Sequence, residues 1–153
     1  MLRISLFSAV AALALLVAPL TPASAGQKNY APTTQTATSN AFGIFGSANA
    51  LSLNTNAVDQ TNLRGGGKKI YQNNYAPTTQ DASSHAFAFG GDASATSVNT
   101  NLIQQGNGAG GKKVFQHNSA PTTQSATSSA ISVGGDASAV SANANGVSQG
   151  NLH

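Results

Sequence analysis

The sequence contains no cysteine, no tryptophan and no glutamate, and charged residues make up only 7% of its 153 residues. Without cysteine there is no disulfide framework, no thiolate metal site and no cysteine nucleophile. Large apolar side chains are too few for the core that a compact domain of this length normally buries. Stability must therefore come from something other than disulfides or a conventional hydrophobic core.

The one long apolar run lies at the N-terminus. Arg3 gives a positive start, residues 6–20 are mostly apolar, and Ala-Ser-Ala at residues 23–25 is a small-x-small cleavage pattern. This order is typical of a secretory signal and predicts a helical signal peptide at residues 1–25. A transmembrane helix is the alternative, but the run is short and two prolines interrupt it. We expect a secreted, extracellular or cell-surface protein whose mature chain has no stable membrane insertion.

A long repeat organises the remaining chain. Ala-Pro-Thr-Thr-Gln occurs three times, with Pro32, Pro77 and Pro121 separated by 45 and 44 residues. A fixed period of this size indicates a solenoid or another stacked array, in which terminal repeats are often atypical. The predicted modules are residues 26–66, 67–110 and 111–153.

Within each module the same side chains return at every second residue. The pattern Ala-x-Ala-x-Ser-x-Asn-x-Asn-x-(Val/Ile)-x-Gln begins at Ala48, Ala93 and Ala137, while the intervening residues differ. Two residues is the side-chain period of a β-strand, so one face of the strand is held constant. The pattern predicts an all-β fold of three stacked modules, either a β-solenoid or a cross-β array.

Each module is predicted to contain two arms. Proline cannot donate to a β-ladder, so the first arm bends there into a short strand and a longer one, and a glycine turn leads to the second arm. Near the end of the first arm the variable face is apolar, and we expect a small apolar cluster between the arms there. Its members would be Phe42, Ile44, Phe87, Phe89, Ile131 and Val133.

The constant face is rich in Asn and Gln, which suits stacking of identical rungs. At a spacing of about 4.8 Å, each side-chain amide can donate to one copy and accept from the other. An orphaned buried amide would instead cost about 1–3 kcal/mol, which selects the register. The predicted stacking residues are Asn54, Asn99 and Asn143; Asn56, Asn101 and Asn145; Gln60, Gln105 and Gln149; Asn29, Asn74 and Asn118; and Gln35, Gln80 and Gln124.

One strand of each module resembles a known repeat. The motif Asn-x-Ala-x-x-x-Gln, which begins at Asn29, Asn74 and Asn118, resembles the second strand of the curlin repeat. The apolar-x-Gln ending of the other arm, followed by Gly-Asn in two modules, is similar to the first strand. Three features depart from curlin: its repeat is about half this length, Asn54, Asn99 and Asn143 stand where curlin has Ser, and a long Gly-Lys link replaces the short turn between the two strands.

The curlin resemblance implies a secreted structural subunit that self-assembles into extracellular cross-β fibres for adhesion, aggregation or biofilm matrix. It implies that the partners are further copies of the chain, with dedicated secretion or nucleation proteins. The alternative from the residues alone is a monomeric β-solenoid adhesin or carbohydrate-binding surface protein. A third alternative is a disordered extracellular spacer.

Lysine pairs mark the links between modules. Lys68 with Lys69, and Lys112 with Lys113, follow glycine-rich segments. Charge at edges and turns limits premature association, so we interpret the pairs as gatekeepers. A stripe that contacts acidic polysaccharide or another polyanion is the alternative.

No residue pattern predicts catalysis or a cofactor. His85, His117 and His153 do not recur at one module position and lack metal-ligand spacing. No motif of the Gly-x-Ser-x-Gly type orients a nucleophile. We expect a non-enzymatic protein without metal or cofactor.

Overall fold

The computed structural model describes residues 26–66 and 69–153, which form three rungs of a β-solenoid. The predicted all-β repeat fold is confirmed, whereas the predicted signal peptide lies outside the described residues. Rung 1 contains β1 (Gly26–Tyr30), β2 (Thr33–Ile44) and β3 (Ala48–Arg64). Rung 2 contains β4 (Ile70–Tyr75), β5 (Thr78–Phe89) and β6 (Ala93–Ala109). Rung 3 contains β7 (Val114–Ser119), β8 (Thr122–Val133) and β9 (Ala137–Leu152).

Equivalent strands pair in parallel and form three sheets, in the orders β1-β4-β7, β2-β5-β8 and β3-β6-β9. The register places like on like, so that Asn54 pairs with Asn99 and Asn99 with Asn143. The two repeat lengths differ by one residue because the first link, residues 65–69, is one residue longer than the second, residues 110–113. The extra residue lies outside every strand and leaves the register unchanged.

Proline separates the two strands of the first arm without interrupting the stack. Backbone N–H groups on either side of Pro32 donate to the next rung, Ala31 to Tyr75 at 3.0 Å and Thr33 to the carbonyl of Pro77 at 2.9 Å. Since proline itself has no N–H to donate, a bend between two strands is a place where it costs little. The arm therefore bends while its ladder continues.

The second arm folds back against the first and lies half a step above it. Asn54 on β3 donates both to the carbonyl of Gln35 on β2 (3.4 Å) and to that of Asp81 on β5 (2.7 Å). Ser52 likewise reaches the Ser83 carbonyl of the next rung at 2.6 Å. Each second arm thus sits between the first arms of its own rung and the following one. We call the rung 1 end the lower end of the stack.

Small side chains fill the space between the arms near the turn, which corrects one prediction. The cluster there consists of Ala48, Ala50, Ala86, Ala88, Ala93 and Ala95. The expected apolar cluster is wrong: Phe42, Ile44, Phe89, Ile131 and Val133 lie half exposed on the outer surface, and Phe87 lies on the same outer face. Only one face of each strand can meet the facing arm, and the close approach of the arms leaves room there for alanine and serine.

Candidate self-assembly surface

Every predicted stacking column forms a chain of side-chain hydrogen bonds along the solenoid axis. Asn54 donates to Asn99 and Asn99 to Asn143, both at 3.0 Å. The column of Asn56, Asn101 and Asn145 has distances of 2.7 and 2.8 Å, and that of Asn29, Asn74 and Asn118 has 3.0 and 3.1 Å. The column of Gln35, Gln80 and Gln124 has 2.7 Å at both steps, and that of Gln60, Gln105 and Gln149 has 2.8 and 2.7 Å.

The asparagine and glutamine columns have opposite directions. In each asparagine column the lower residue donates its Nδ2 to the Oδ1 above, as Asn54 does to Asn99. In each glutamine column the upper residue donates its Nε2 to the Oε1 below, as Gln80 does to Gln35. The two ends of the stack are therefore chemically different, although the inner faces of the rungs carry nearly the same residues.

The second hydrogen of most ladder amides reaches a backbone carbonyl of the facing arm, whereas those of Asn56 and Asn101 reach the Oγ1 atoms of Thr78 and Thr122 there. Gln35 donates to the Thr55 carbonyl at 2.8 Å, and Gln80 donates to the equivalent Thr100 carbonyl at 3.0 Å. A buried polar group needs such partners because a lost hydrogen bond in low dielectric is costly. The amides thus join neighbouring rungs along the axis and hold the two arms together across it.

The structure contains two further ladders that the sequence analysis does not predict. Gln72 donates to Gln27, and Gln116 to Gln72, at 2.8 and 2.9 Å. Asn62 donates to Asn107, and Asn107 to Asn151, at 2.9 and 3.0 Å. The signal for the asparagine column was available, because these residues continue the two-residue period one step beyond Gln60, Gln105 and Gln149.

The asparagines near the C-terminal ends of β3, β4, β6 and β7 also form hydrogen bonds from arm to arm. Asn62 donates to Asn74 at 2.8 Å, Asn74 to Asn107 at 3.2 Å and Asn107 to Asn118 at 2.7 Å. These bonds climb the stack by half a rung at each step. The ladder of the first arm and that of the second arm therefore form one connected polar network.

The upper end of the stack leaves its ladder open. Asn99, Asn101 and Gln105 in β6 are at most 3% exposed. Their counterparts in β9, Asn143, Asn145 and Gln149, are exposed, because no first arm lies above them. Rung 3 therefore presents a face whose residues are buried wherever a further rung follows.

The outer surface carries stacked rings. Tyr71 and Phe115 lie with ring centroids 4.9 Å apart, Phe42 and Phe87 5.4 Å apart, and Tyr30 and Tyr75 5.6 Å apart. The two ring planes of each pair are nearly parallel, an arrangement that the in-register sheet imposes on equivalent positions. Beside Tyr71 and Phe115 a shallow cavity of about 560 Å³ is also lined by Lys28 and His117.

The predicted gatekeeper lysines lie in the links between rungs. Lys69, Lys112 and Lys113 are exposed, and Lys68 lies outside the described residues. The backbone N–H of Ile70 donates to the Lys113 carbonyl at 2.9 Å, so the end of each link is held against its neighbour. This places charge at one edge of the stack.

Residues 26–66 and 69–153 contain no group of three or more His, Asp or Glu side chains that could hold a metal ion. The same residues contain no helix long and apolar enough to cross a membrane.

Comparisons with known proteins give no relative. No family model matches this chain, and no curated protein or solved structure matches it either. The resemblance to curlin therefore stays a prediction carried by the motifs quoted above.

Proposed function

We propose that this chain is an exported structural subunit that polymerises into extracellular cross-β fibres of the curlin type. The observation that supports the proposal best is the open ladder of rung 3. Asn143, Asn145 and Gln149 hydrogen-bond to the rung below and are exposed above, where β6 is covered by a further rung. A further copy of the chain would supply the missing rung with the same residues in the same register.

Adding a further copy is more favourable than leaving the amides of rung 3 in water only if the copy docks in register with the ladder. Each amide bond contributes about 1 kcal/mol net, whereas a buried amide without a partner costs about 1–3 kcal/mol. A copy that docks in register makes all the ladder bonds at once, and a copy displaced by one residue makes none. Specificity for self therefore follows from the same side chains that stabilise each solenoid.

The proposed role is non-catalytic and extracellular. Adhesion, aggregation or support of a biofilm matrix would follow from fibre formation, with secretion or nucleation proteins as partners. We interpret the link lysines as gatekeepers that limit lateral association, and contact with a polyanion as their alternative role.

A second candidate function is a monomeric β-solenoid adhesin or carbohydrate-binding surface protein. The stacked outer rings favour it, since Tyr71 and Phe115 leave broad apolar surface in solvent next to Lys28. Such a protein would need no further copy on rung 3.

Assembly of the purified protein separates the two functions. Protein expressed from the full sequence is diluted from denaturant, and thioflavin fluorescence and sedimentation are followed with and without preformed seeds. The fibre function predicts seeded growth and X-ray fibre reflections at about 4.8 Å and about 10 Å. A folded β-rich species that stays monomeric at high concentration would contradict it and support the adhesin.

A further inference from the structure

Two buried oxygen atoms of rung 1 have no hydrogen-bond partner. They are Thr33 Oγ1 and Asn56 Oδ1, which are among four such side-chain atoms in the described residues. Thr33 is 8% exposed and Asn56 is 1% exposed, so water is largely excluded from both. Buried polar atoms in folded proteins almost always have partners, and each exception needs an explanation.

The upper rungs show which donor is missing. Asn56 Nδ2 donates to Asn101 Oδ1 at 2.7 Å and to Thr78 Oγ1 at 3.2 Å. Asn101 Nδ2 repeats both bonds one rung higher, to Asn145 at 2.8 Å and to Thr122 at 3.1 Å. Thr33 and Asn56 hold the same positions in rung 1. Both therefore lack one and the same group, the amide of an asparagine in a rung below.

The chain carries that amide at its other end. Asn145 is the last member of this column, its side chain is exposed, and its Nδ2 donates to no described residue. It accepts from Asn101 through Oδ1, which holds the side chain in the column. The unused donor of rung 3 thus has the chemistry and the register position that the two unused acceptors of rung 1 require.

The turns between the arms also show that the upper end of the stack is complementary in shape to the lower end. A Cβ added to Gly91 would lie 2.5 Å from the carbonyl of Gly46, and one added to Gly135 would lie 2.5 Å from the carbonyl oxygen of Gly91. A Cβ added to Gly46 would meet nothing within 4 Å. The turns at Gly91 and Gly135 therefore each pack directly on the turn below. The space below Gly46 is open and could accept an equivalent turn from another molecule.

We propose that rung 1 of one copy docks on rung 3 of a second copy. In this interface the second copy's Asn145 amide bonds to Thr33 Oγ1 and Asn56 Oδ1, and its turn at Gly135 seats Gly46. The proposal rests on the proposed fibre function and adds the polarity of the fibre. The two surfaces are different, so the interface is heterologous, and repeating it produces an open filament with one Asn145 end and one Gly46 end.

The first test replaces the donor. Asn145→Asp keeps an acceptor for Asn101 but replaces the amide with oxygen, which cannot donate to Asn56 Oδ1 across the interface. We expect seeded elongation to slow by about tenfold or more, because this buried bond is lost and a charge is buried. The matched control is Ala144→Asp, which adds the same charge on the outer face of the adjacent residue and should elongate like the parent protein.

The second test fills the space beneath the turn. Gly46→Ala adds one methyl group where the single solenoid is open, so circular dichroism and the urea midpoint of the monomer should not change. Elongation should slow by about tenfold or more, since the added atom meets the backbone of the neighbouring turn. Gly65→Ala is the control. A Cβ there also meets nothing within 4 Å, but Gly65 lies in the link between β3 and β4, away from the turns between the arms.

Mixing the two variants tests the polarity itself. Each retains one intact end, so each alone should elongate slowly as above, and an equimolar mixture should accumulate a discrete dimer in sedimentation velocity. Parent protein that never forms fibres overturns both the fibre function and this interface. Fibres that grow equally well from both variants and controls overturn the interface alone. Variants that stay monomeric when mixed also overturn it, because the intact ends then do not match.

Discussion

The inner and outer faces of the strands reverse the usual distribution of residues in a folded protein. Asparagine, glutamine, serine and alanine lie between the arms together with Val58, Ile70 and Ile103, whereas phenylalanine, tyrosine and leucine lie mainly on the surface. A buried amide is satisfied here by an identical amide one rung away, so its burial costs little. Residues between the arms are therefore selected for small size and for the ability to bond with their own copies, and hydrophobicity is secondary.

The sharpest way to break this contrast is to remove amides from the inner face. Asn99→Ala combined with Gln105→Ala deletes two ladder members and leaves the amides above and below without their ladder bonds. We expect the free energy of unfolding to fall by about 4 kcal/mol and fibre assembly to slow strongly. Urea unfolding and thioflavin kinetics measure the two effects.

The control for the amide deletion lies on the outer face of the same strand. Thr100→Ala combined with Gln104→Ala removes a similar number of polar atoms, and the free energy of unfolding should change by less than about 1 kcal/mol. Equal losses in the two double variants would show that the alternation of faces has no structural role.

The turn extends the contrast to a place where no side chain fits. Gly91→Ala puts a methyl group against the carbonyl of Gly46, and we expect a loss of about 3 kcal/mol in urea unfolding. The same substitution at Gly46 should cost almost nothing in the monomer. A neutral Gly91→Ala variant would mean that the turns do not rest on one another.

A comparison of neighbouring residues sharpens the role of side-chain size. Ala88 is fully buried between the arms, and the adjacent Phe89 is half exposed on the surface. Ala88→Leu should lower the free energy of unfolding by about 2 kcal/mol through overpacking. Phe89→Ser should lower the free energy of unfolding by less than about 1 kcal/mol, although it removes a whole aromatic ring. The reverse order of the two melting temperatures would place the core on the outer face.

The smallest effect is expected at the links. Lys112→Ser combined with Lys113→Ser removes two exposed charges from one edge of the stack. If the lysines act as gatekeepers, the lag before fibre growth should shorten by about twofold, with no change in the urea midpoint. An unchanged lag together with weaker binding to an acidic polysaccharide would favour the polyanion role.

The predicted stacking columns show what a repeat makes accessible. Asn54, Asn99 and Asn143 could be aligned from spacing alone, because an in-register parallel stack places each residue on its own copy. The column of Asn62, Asn107 and Asn151 follows the same rule. Neighbouring glycines and the adjacent link make the two-residue period harder to recognise there. Gln27, Gln72 and Gln116 also occupy equivalent positions at the starts of the three modules, but they lie outside the longer alternating patterns.

The position of the apolar residues shows where spacing is insufficient. The period of two separates Phe87 and Phe89 from Ala86 and Ala88, but it does not say which set faces the other arm. That choice depends on how closely two arms far apart in sequence approach each other. Phenylalanine was expected inside because hydrophobic burial is the usual rule, and the narrow gap between the arms excludes it.

The sequence by itself determined the all-β fold, the three rungs and the partner of each amide along the axis, because the periods of two and of 44 or 45 residues are properties of one chain. Only the tertiary structure decided the half-step between the arms, the opposite directions of the asparagine and glutamine ladders, and the unpartnered oxygens of rung 1. These features arise where the two arms meet, and the distance between facing side chains there is set by packing across the rung.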